Sequence, residues 1–272
     1  MNNLKNFSQI KLIFKGGQKK VYSAVHPEYG KVVIKTGEFN NPLQRERIVR
    51  EVEFLKSIDS RYFPRIFEFE INEIEKRFFI VEKFIKSKKI TELTDYYNSE
   101  IKIIELLYKL VNALKLLWEN NIVHRDLKPD NILITENFEP VIIDLGIARF
   151  LEYESLTQTI AHFGPCTPIY AAPEQLLNKK DLINMRTDFF ALGIIILEIH
   201  LGFHPFHPKK VGKGNSIPEN IINGYYVRPN VKGKTSIHFS ILIEKLLKTQ
   251  PYQRFRNFVI LNKFLIEHWR IE

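Results

Sequence analysis

The sequence predicts an α+β chain in two parts, a small β-rich first part with one main helix and a larger, mostly helical second part. Three observations predict it. Residues 10–35 alternate apolar and polar residues between glycine turns (IKLIF, VYSAVH, KVVIK). Residues 100–120, EIKIIELLYKLVNALKLLWEN, set Ile104, Leu107, Val111, Leu114 and Leu117 along one helical stripe. After Thr187 three further segments have helical character: DFFALGIIILEIHLG, ILIEKLLKTQ and FVILNKFLIEHW.

In chain order, Gly16, Gly17 and Gly30 punctuate the first strands. RERIVREVEFLKSI places Ile48, Val52, Leu55 and Ile58 at helical spacing, and FFIVEKF (78–84) predicts another strand. The two parts are expected to meet near Glu82 to Lys89. NILIT and PVIIDLG predict short strands joined by a turn around Glu136 to Phe138. Gly, Pro and Lys concentrate between His204 and Lys234, which predicts a long surface connection.

The 272 residues, 44% hydrophobic and 26% charged, have the balance of a folded globular chain and exclude a disordered or fibrous one. Cys166 is the one cysteine, so an intrachain disulfide is excluded and a reducing compartment fits. The start, MNNLKNFSQIKLIF, has no signal-like apolar core. The longest apolar run, Ala191 to Ile199, is too short to span a bilayer. A cytoplasmic protein without a membrane span is expected. The net charge of +9 permits nucleic-acid binding, yet no nucleic-acid module signature is present, and no specific nucleic-acid partner is expected.

Residues 124–131 read HRDLKPDN between two apolar stretches. They bring together side chains able to hold a metal, an anion and a proton. The segment fits the pattern H-R-D-L-x-x-x-N in full. From about Ile10 to the last helix the chain resembles a eukaryotic-type (Hanks-type) serine/threonine protein kinase catalytic domain. The resemblance implies a protein-kinase-like two-lobed fold and one domain over residues 1–272. Its N-lobe would be 1–84, and its hinge end and C-lobe 85–272.

The same resemblance implies roles. Asp126 would accept the proton of the substrate hydroxyl, Asn131 and Asp144 would hold Mg²⁺, and Lys128 would contact the transferring phosphoryl group. Lys128-Pro129 matches the Ser/Thr form of this loop. Asp144 stands in VIIDLG, with Leu145 where the family has Phe. Lys35, closing the strand VVIK, would contact the nucleotide phosphates, with Glu51 rather than Glu53 as its partner. Val21, Val33 and Leu133 would surround adenine, the backbone of Glu82 and Phe84 would bind its edge, and Val81 would be the gatekeeper. Counting back from Val21 puts Phe14, Gly16 and Lys19 at the three positions of the Gly-rich loop, so Gly16, with Gly17 beside it, is what remains of that loop.

CTPIYAAPE (166–174) resembles the segment that shapes a peptide-binding surface, which argues against a small-molecule kinase. Asp188 is expected to brace the catalytic loop, Arg254 to pair with Glu174, and Thr167 to contact the catalytic loop. Arg125 would bind a phosphorylated Ser155, Thr157 or Thr159. The implied cofactors are ATP and Mg²⁺, with Mn²⁺ as a substitute. The implied partners are a protein substrate and a second copy of the chain for trans-autophosphorylation. The alternative is a pseudokinase or ATP-binding scaffold, supported by the reduced Gly-rich loop, Val33 and Leu145.

Overall fold

The computed structural model describes residues 5–16, 19–93, 95–145, 149–150, 167–230 and 235–271. The expectations placed on Gly17, Ser155, Thr157, Thr159 and Cys166 lie outside them. Two compact units form, one from Met1–Ser87 with Val141–Gly146, the other from Lys88–Pro140 with Ile147–Glu272.

The first unit is built on an antiparallel sheet. Its strands are β1 (Ser8–Lys15), β2 (Lys19–His26), β3 (Gly30–Glu38), β4 (Ile66–Asn72) and β5 (Arg77–Lys83), in the order β1-β2-β3-β5-β4. No element is predicted from the sequence at β4, although IFEFEIN alternates as an exposed-face strand does. Pairing register sorts the side chains by face, because residues directly opposite one another share a face. Tyr22, Ile34 and Val81 align on one side; Val21, Lys35 and Ile80, and Ser23, Val33 and Glu82, align on the other. The first side carries the core of Phe7, Ala24, Val32, Ile34 and Val81. Helix α1 (Pro42–Ser57) starts where the Asn41 side chain accepts the Gln44 N–H, with Pro42 at the first helical position. It buries Glu51, Val52, Phe54 and Leu55.

The second unit is mainly helical. After β6 (Ser87–Lys89), α2 (Glu100–Glu119) buries the predicted stripe, with Ile103, Leu106, Leu110 and Trp118 added to it. Short strands follow: β7 (Ile122–Val123), β8 (Ile132–Thr135), then β9 (Pro140–Ile142), where the chain passes into the first unit at Val141, and β10 (Arg149–Phe150), which is paired to β7. Next come α3 (Pro173–Leu176) and α4 (Met185–Leu201). Helix α4 is capped by Asn184, buried from Thr187 to Leu197, and stopped at Gly202 (φ 74°). Burial on all sides explains why its apolar residues show no stripe.

The surface connection predicted between His204 and Lys234 is corrected by the structure. That stretch holds α5 (Pro208–Val211) and α6 (Ile217–Asn223), with Phe206, Asn220 and Ile221 buried. Four of its Pro and Gly residues are helix boundaries: Pro208 and Pro218 lie in first turns, Gly212 and Gly224 after last ones. The Asn220 Nδ2 donates to the Phe206 and Lys213 carbonyls. Two further helices, α7 (Ile237–Leu246) and α8 (Phe258–Trp269), complete the unit. Among the described residues no helix is long and apolar enough to cross a membrane.

Gly193 in α4 lies where a Cβ would come within 2.9 Å of both Leu246 Cβ and Leu247 Cδ2. Gly193→Ala is expected to destabilise the second unit by about 1–3 kcal/mol through overpacking, read as a lower midpoint in thermal or urea melting.

Candidate active site

In the second unit, residues 124–131 run from β7 into β8, ending in a 3-10 turn at Pro129–Asn131. Their backbone is held by Asp188 at the start of α4. Its carboxylate accepts the main-chain N–H groups of His124 and Arg125, both at 3.0 Å, and the Trp118 indole N–H at 2.8 Å. Burial raises the pKa of Asp188, against the donors and His124, which lower it. Arg125 adopts φ 70°, the left-handed region that a side chain makes costly, and Gln175 Nε2 donates to its carbonyl at 2.8 Å. The brace expected of Asp188 is therefore present, and Gln175 and Trp118 join it.

Asp126 is held by groups that set its direction. Its Oδ1 accepts the Thr167 N–H at 2.8 Å and the Thr167 hydroxyl at 2.6 Å. Its Oδ2 accepts Lys128 Nζ at 2.8 Å, and that ammonium also donates to Thr167 Oγ1 at 2.8 Å. Asn131 Nδ2 donates to the Asp126 carbonyl at 2.9 Å, which leaves the amide Oδ1 as a coordinating atom. Glu174 and Arg254 form a two-pronged ion pair at 2.7 and 2.8 Å, with side chains 1% and 0% exposed. Thr187 Oγ1 donates to the same carboxylate. A fork-to-carboxylate pair of this kind is geometrically specific. Leu133 lies half-buried on β8.

In the first unit Lys19, Lys35, Glu51, Glu82 and Asp144 act on one another as a cluster of charges. Lys35 Nζ pairs with Glu82 Oε1 at 2.7 Å, which corrects the expected Lys35–Glu51 partnership. The Glu51 carboxylate instead accepts the Leu145 N–H at 3.2 Å. Lys19 Nζ pairs with Asp144 Oδ1 at 2.8 Å, and Asp144 adopts φ 70°. Burial opposes the charge of Lys35, but the Glu82, Asp144 and Glu51 carboxylates outweigh it and raise its pKa. Burial first, then Asp144, push Glu51 up to about 7, against the lysines.

The gatekeeper assignment is also corrected. Val81 belongs to the core on the sheet face opposite Lys35, and Glu82 stands on the Lys35 face with Val21, Val33 and Ile80. A shift of one residue along a strand exchanges the two faces. Phe84 lies half-buried with Lys31 Nζ 3.9 Å from its ring centre, and the Gly16 N–H donates to the Lys19 carbonyl.

The family described as the protein kinase domain matches residues 7–266 of this chain. The chain belongs to the protein kinase domain family. It is 30% identical over 283 residues to calcium-dependent protein kinase 5 of Plasmodium falciparum, covering 94% of this chain and 48% of that one. It is 28% identical over 211 residues to serine/threonine-protein kinase PknD of Mycobacterium tuberculosis, covering 75% and 31%. The chain thus spans less than half the length of these relatives.

The strand-rich and helical units are those of the two-lobed protein kinase fold. Among the described residues of this kinase domain no group of three His, Cys, Asp or Glu gathers. Asn131 Oδ1 and the Asp144 carboxylate are hard oxygen donors of the kind a divalent cation takes. Sequence reasoning missed the side chain of Glu82, whose signal was an acid two residues along β5 from the position opposite Lys35. It also missed Gln175, which directly follows the APE segment.

Glu51 supplies a test of this electrostatic account. A carboxylate whose folded pKa is raised favours folding when protonated, and that contribution is lost as pH climbs from its unfolded value of about 4.3 toward about 7. Glu51→Gln keeps an acceptor for Leu145 and removes the titration. Its melting temperature relative to wild type is expected to rise between pH 5 and pH 8.

Proposed function

We propose that the chain is an ATP-dependent protein serine/threonine kinase, transferring the γ-phosphate of Mg-ATP to Ser or Thr hydroxyls of proteins, its own included. The observation that carries this reading is the Asp126 carboxylate, held on one oxygen by Thr167 and on the other by Lys128. Thr167 belongs to the peptide-surface segment, so the candidate base is tied to the part of the chain that would seat a protein substrate. In the reaction the substrate oxygen bonds to the γ-phosphorus, the bond to the β–γ bridging oxygen breaks, and ADP leaves. Asp126 orients the hydroxyl and takes its proton, while Lys128 neutralises charge on the transferring group.

Asn131 and Asp144 are the proposed metal ligands, and Mn²⁺ suits the same oxygen donors. Bound metal supplies charge neutralisation at the phosphate oxygens. Lys35 and Gly16 face the phosphates in this reading, and Gly17 belongs with them by sequence. Val21, Val33 and Leu133 bound the adenine, with Phe84 at its edge. One domain over residues 1–272 and self-association for trans-autophosphorylation complete the proposal. The Lys19–Asp144 ion pair favours a second reading, an ATP-binding scaffold without transfer, since it occupies a carboxylate that the metal requires.

The experiment is transfer of γ-phosphate from Mg-ATP to the chain itself and to a generic basic protein, with modified sites mapped by mass spectrometry. Asp126→Asn is expected to lower the rate on the order of 10²–10⁴-fold, the usual contribution of a positioned acid–base group. Modification is expected on Ser and Thr. A wild type that binds Mg-ATP and transfers nothing would favour the scaffold.

A further inference from the structure

We infer that Glu82 is the acid that positions Lys35 for the nucleotide, so that the direct contact is made within the sheet and not by helix α1. The inference rests on the kinase reading above for what Lys35 contacts. The pair itself rests on geometry. Ile80 stands opposite Lys35 across the β3–β5 ladder, and Glu82 is two residues further along the same face. That diagonal is within reach of two long side chains. The contact is 2.7 Å, with the Lys35 and Glu82 side chains 8% and 4% exposed.

Glu51 is buried nearby, yet it turns to the Leu145 N–H and makes no ion pair with Lys35. The charges explain the division. Two ammonium groups, Lys19 and Lys35, meet three carboxylates, and the pairs Lys19–Asp144 and Lys35–Glu82 leave Glu51 over. A buried carboxylate without a cation is costly to ionise, whereas one accepting an N–H is tolerated in its neutral form. Both strands that carry the Lys35–Glu82 pair are fixed by ladder hydrogen bonds, so the ammonium is placed before any nucleotide arrives. Glu82 is a positioning residue: it acts through Lys35.

The test is a pair of double-mutant cycles, Lys35→Met with Glu82→Gln and Lys35→Met with Glu51→Gln. Mg-ATP affinity is measured by calorimetry, and KM and kcat by phosphate transfer. Glu82→Gln is expected to weaken Mg-ATP binding about tenfold, a typical coupling for contacting residues, with KM affected more than kcat. Glu82→Asp is expected to recover part of the loss. In the Lys35→Met background Glu82→Gln should have no further effect. Wild-type affinity in Glu82→Gln, or equal coupling of Lys35 to Glu51, overturns the inference and leaves the kinase reading standing.

A second arm does not depend on nucleotide. Lys35→Met with Glu82→Met removes both buried charges, and it is expected to melt above either single Met variant. A double variant no more stable than the weaker single overturns the pairing. A folded wild type that binds no Mg-ATP overturns the kinase reading, and the melting arm still decides the pair.

Discussion

The second unit depends on one dry carboxylate. Asp188 is 1% exposed, and it collects N–H groups from two consecutive peptides and an indole. Placing an anion there is unfavourable unless donors surround it, and the three donors come from α2 and from the segment after β7. The arrangement therefore specifies a geometry. His124 and Arg125 must turn their N–H groups toward α4, and this forces Arg125 into a backbone region that its side chain disfavours. Gln175 then fixes the carbonyl of the same residue. With both peptide groups of Arg125 held, the direction of Asp126 is set before any substrate arrives, and Thr167 and Lys128 have a fixed carboxylate to bind.

The first unit solves a different problem. Its ionisable cluster holds more carboxylates than lysines, and each carboxylate finds a separate solution. Glu82 takes Lys35 along the sheet, Asp144 takes Lys19 across the unit, and Glu51 takes a peptide N–H. The high pKa of Glu51 follows from being the unmatched member, with burial and the Asp144 charge acting in the same direction. Strain recurs where function is proposed: Asp144, like Arg125, has a positive φ.

Much of this was legible in the sequence because the relevant signals are local. FVILNKFLIEHW coincides with the full extent of α8, Phe258–Trp269, since its apolar spacing marks it, and the structure adds the Asn257 cap. The segment HRDLKPDN was readable because its polar types occur at fixed spacing within one loop. Asp188, Glu174 and Arg254 were readable only through resemblance, since their partners lie far away in sequence. What stayed hidden was tertiary. FFIVEKF is apolar almost throughout, so its own pattern does not say whether Val81 or Glu82 shares the face of Lys35. Only the register against β3 decides that, and the choice moves the gatekeeper and the lysine's partner together. The stretch from His204 to Lys234 misled for another reason: short helices put Pro and Gly at their ends, and a run of short helices is therefore rich in both.

The departures from the family pattern gather in the first unit, and they share a direction. Lys19 stands where a glycine of the phosphate-covering loop is expected, Glu82 supplies a carboxylate on the Lys35 face, and the loop keeps Gly16 with Gly17 beside it. Glycine loops hold phosphate with neutral peptide N–H groups brought close by the missing side chain. Lysine holds it with a mobile point charge instead. A point charge in a buried site must be neutralised while the nucleotide is absent, and peptide N–H groups need no such partner. Glu82 meets that requirement for the buried Lys35, while Lys19 and Asp144 pair in a more exposed position. In the proposed kinase reading, the acid on β5 and the lysine at the start of β2 belong to one electrostatic design, in which side-chain charge takes over part of what backbone amides do in a full glycine loop.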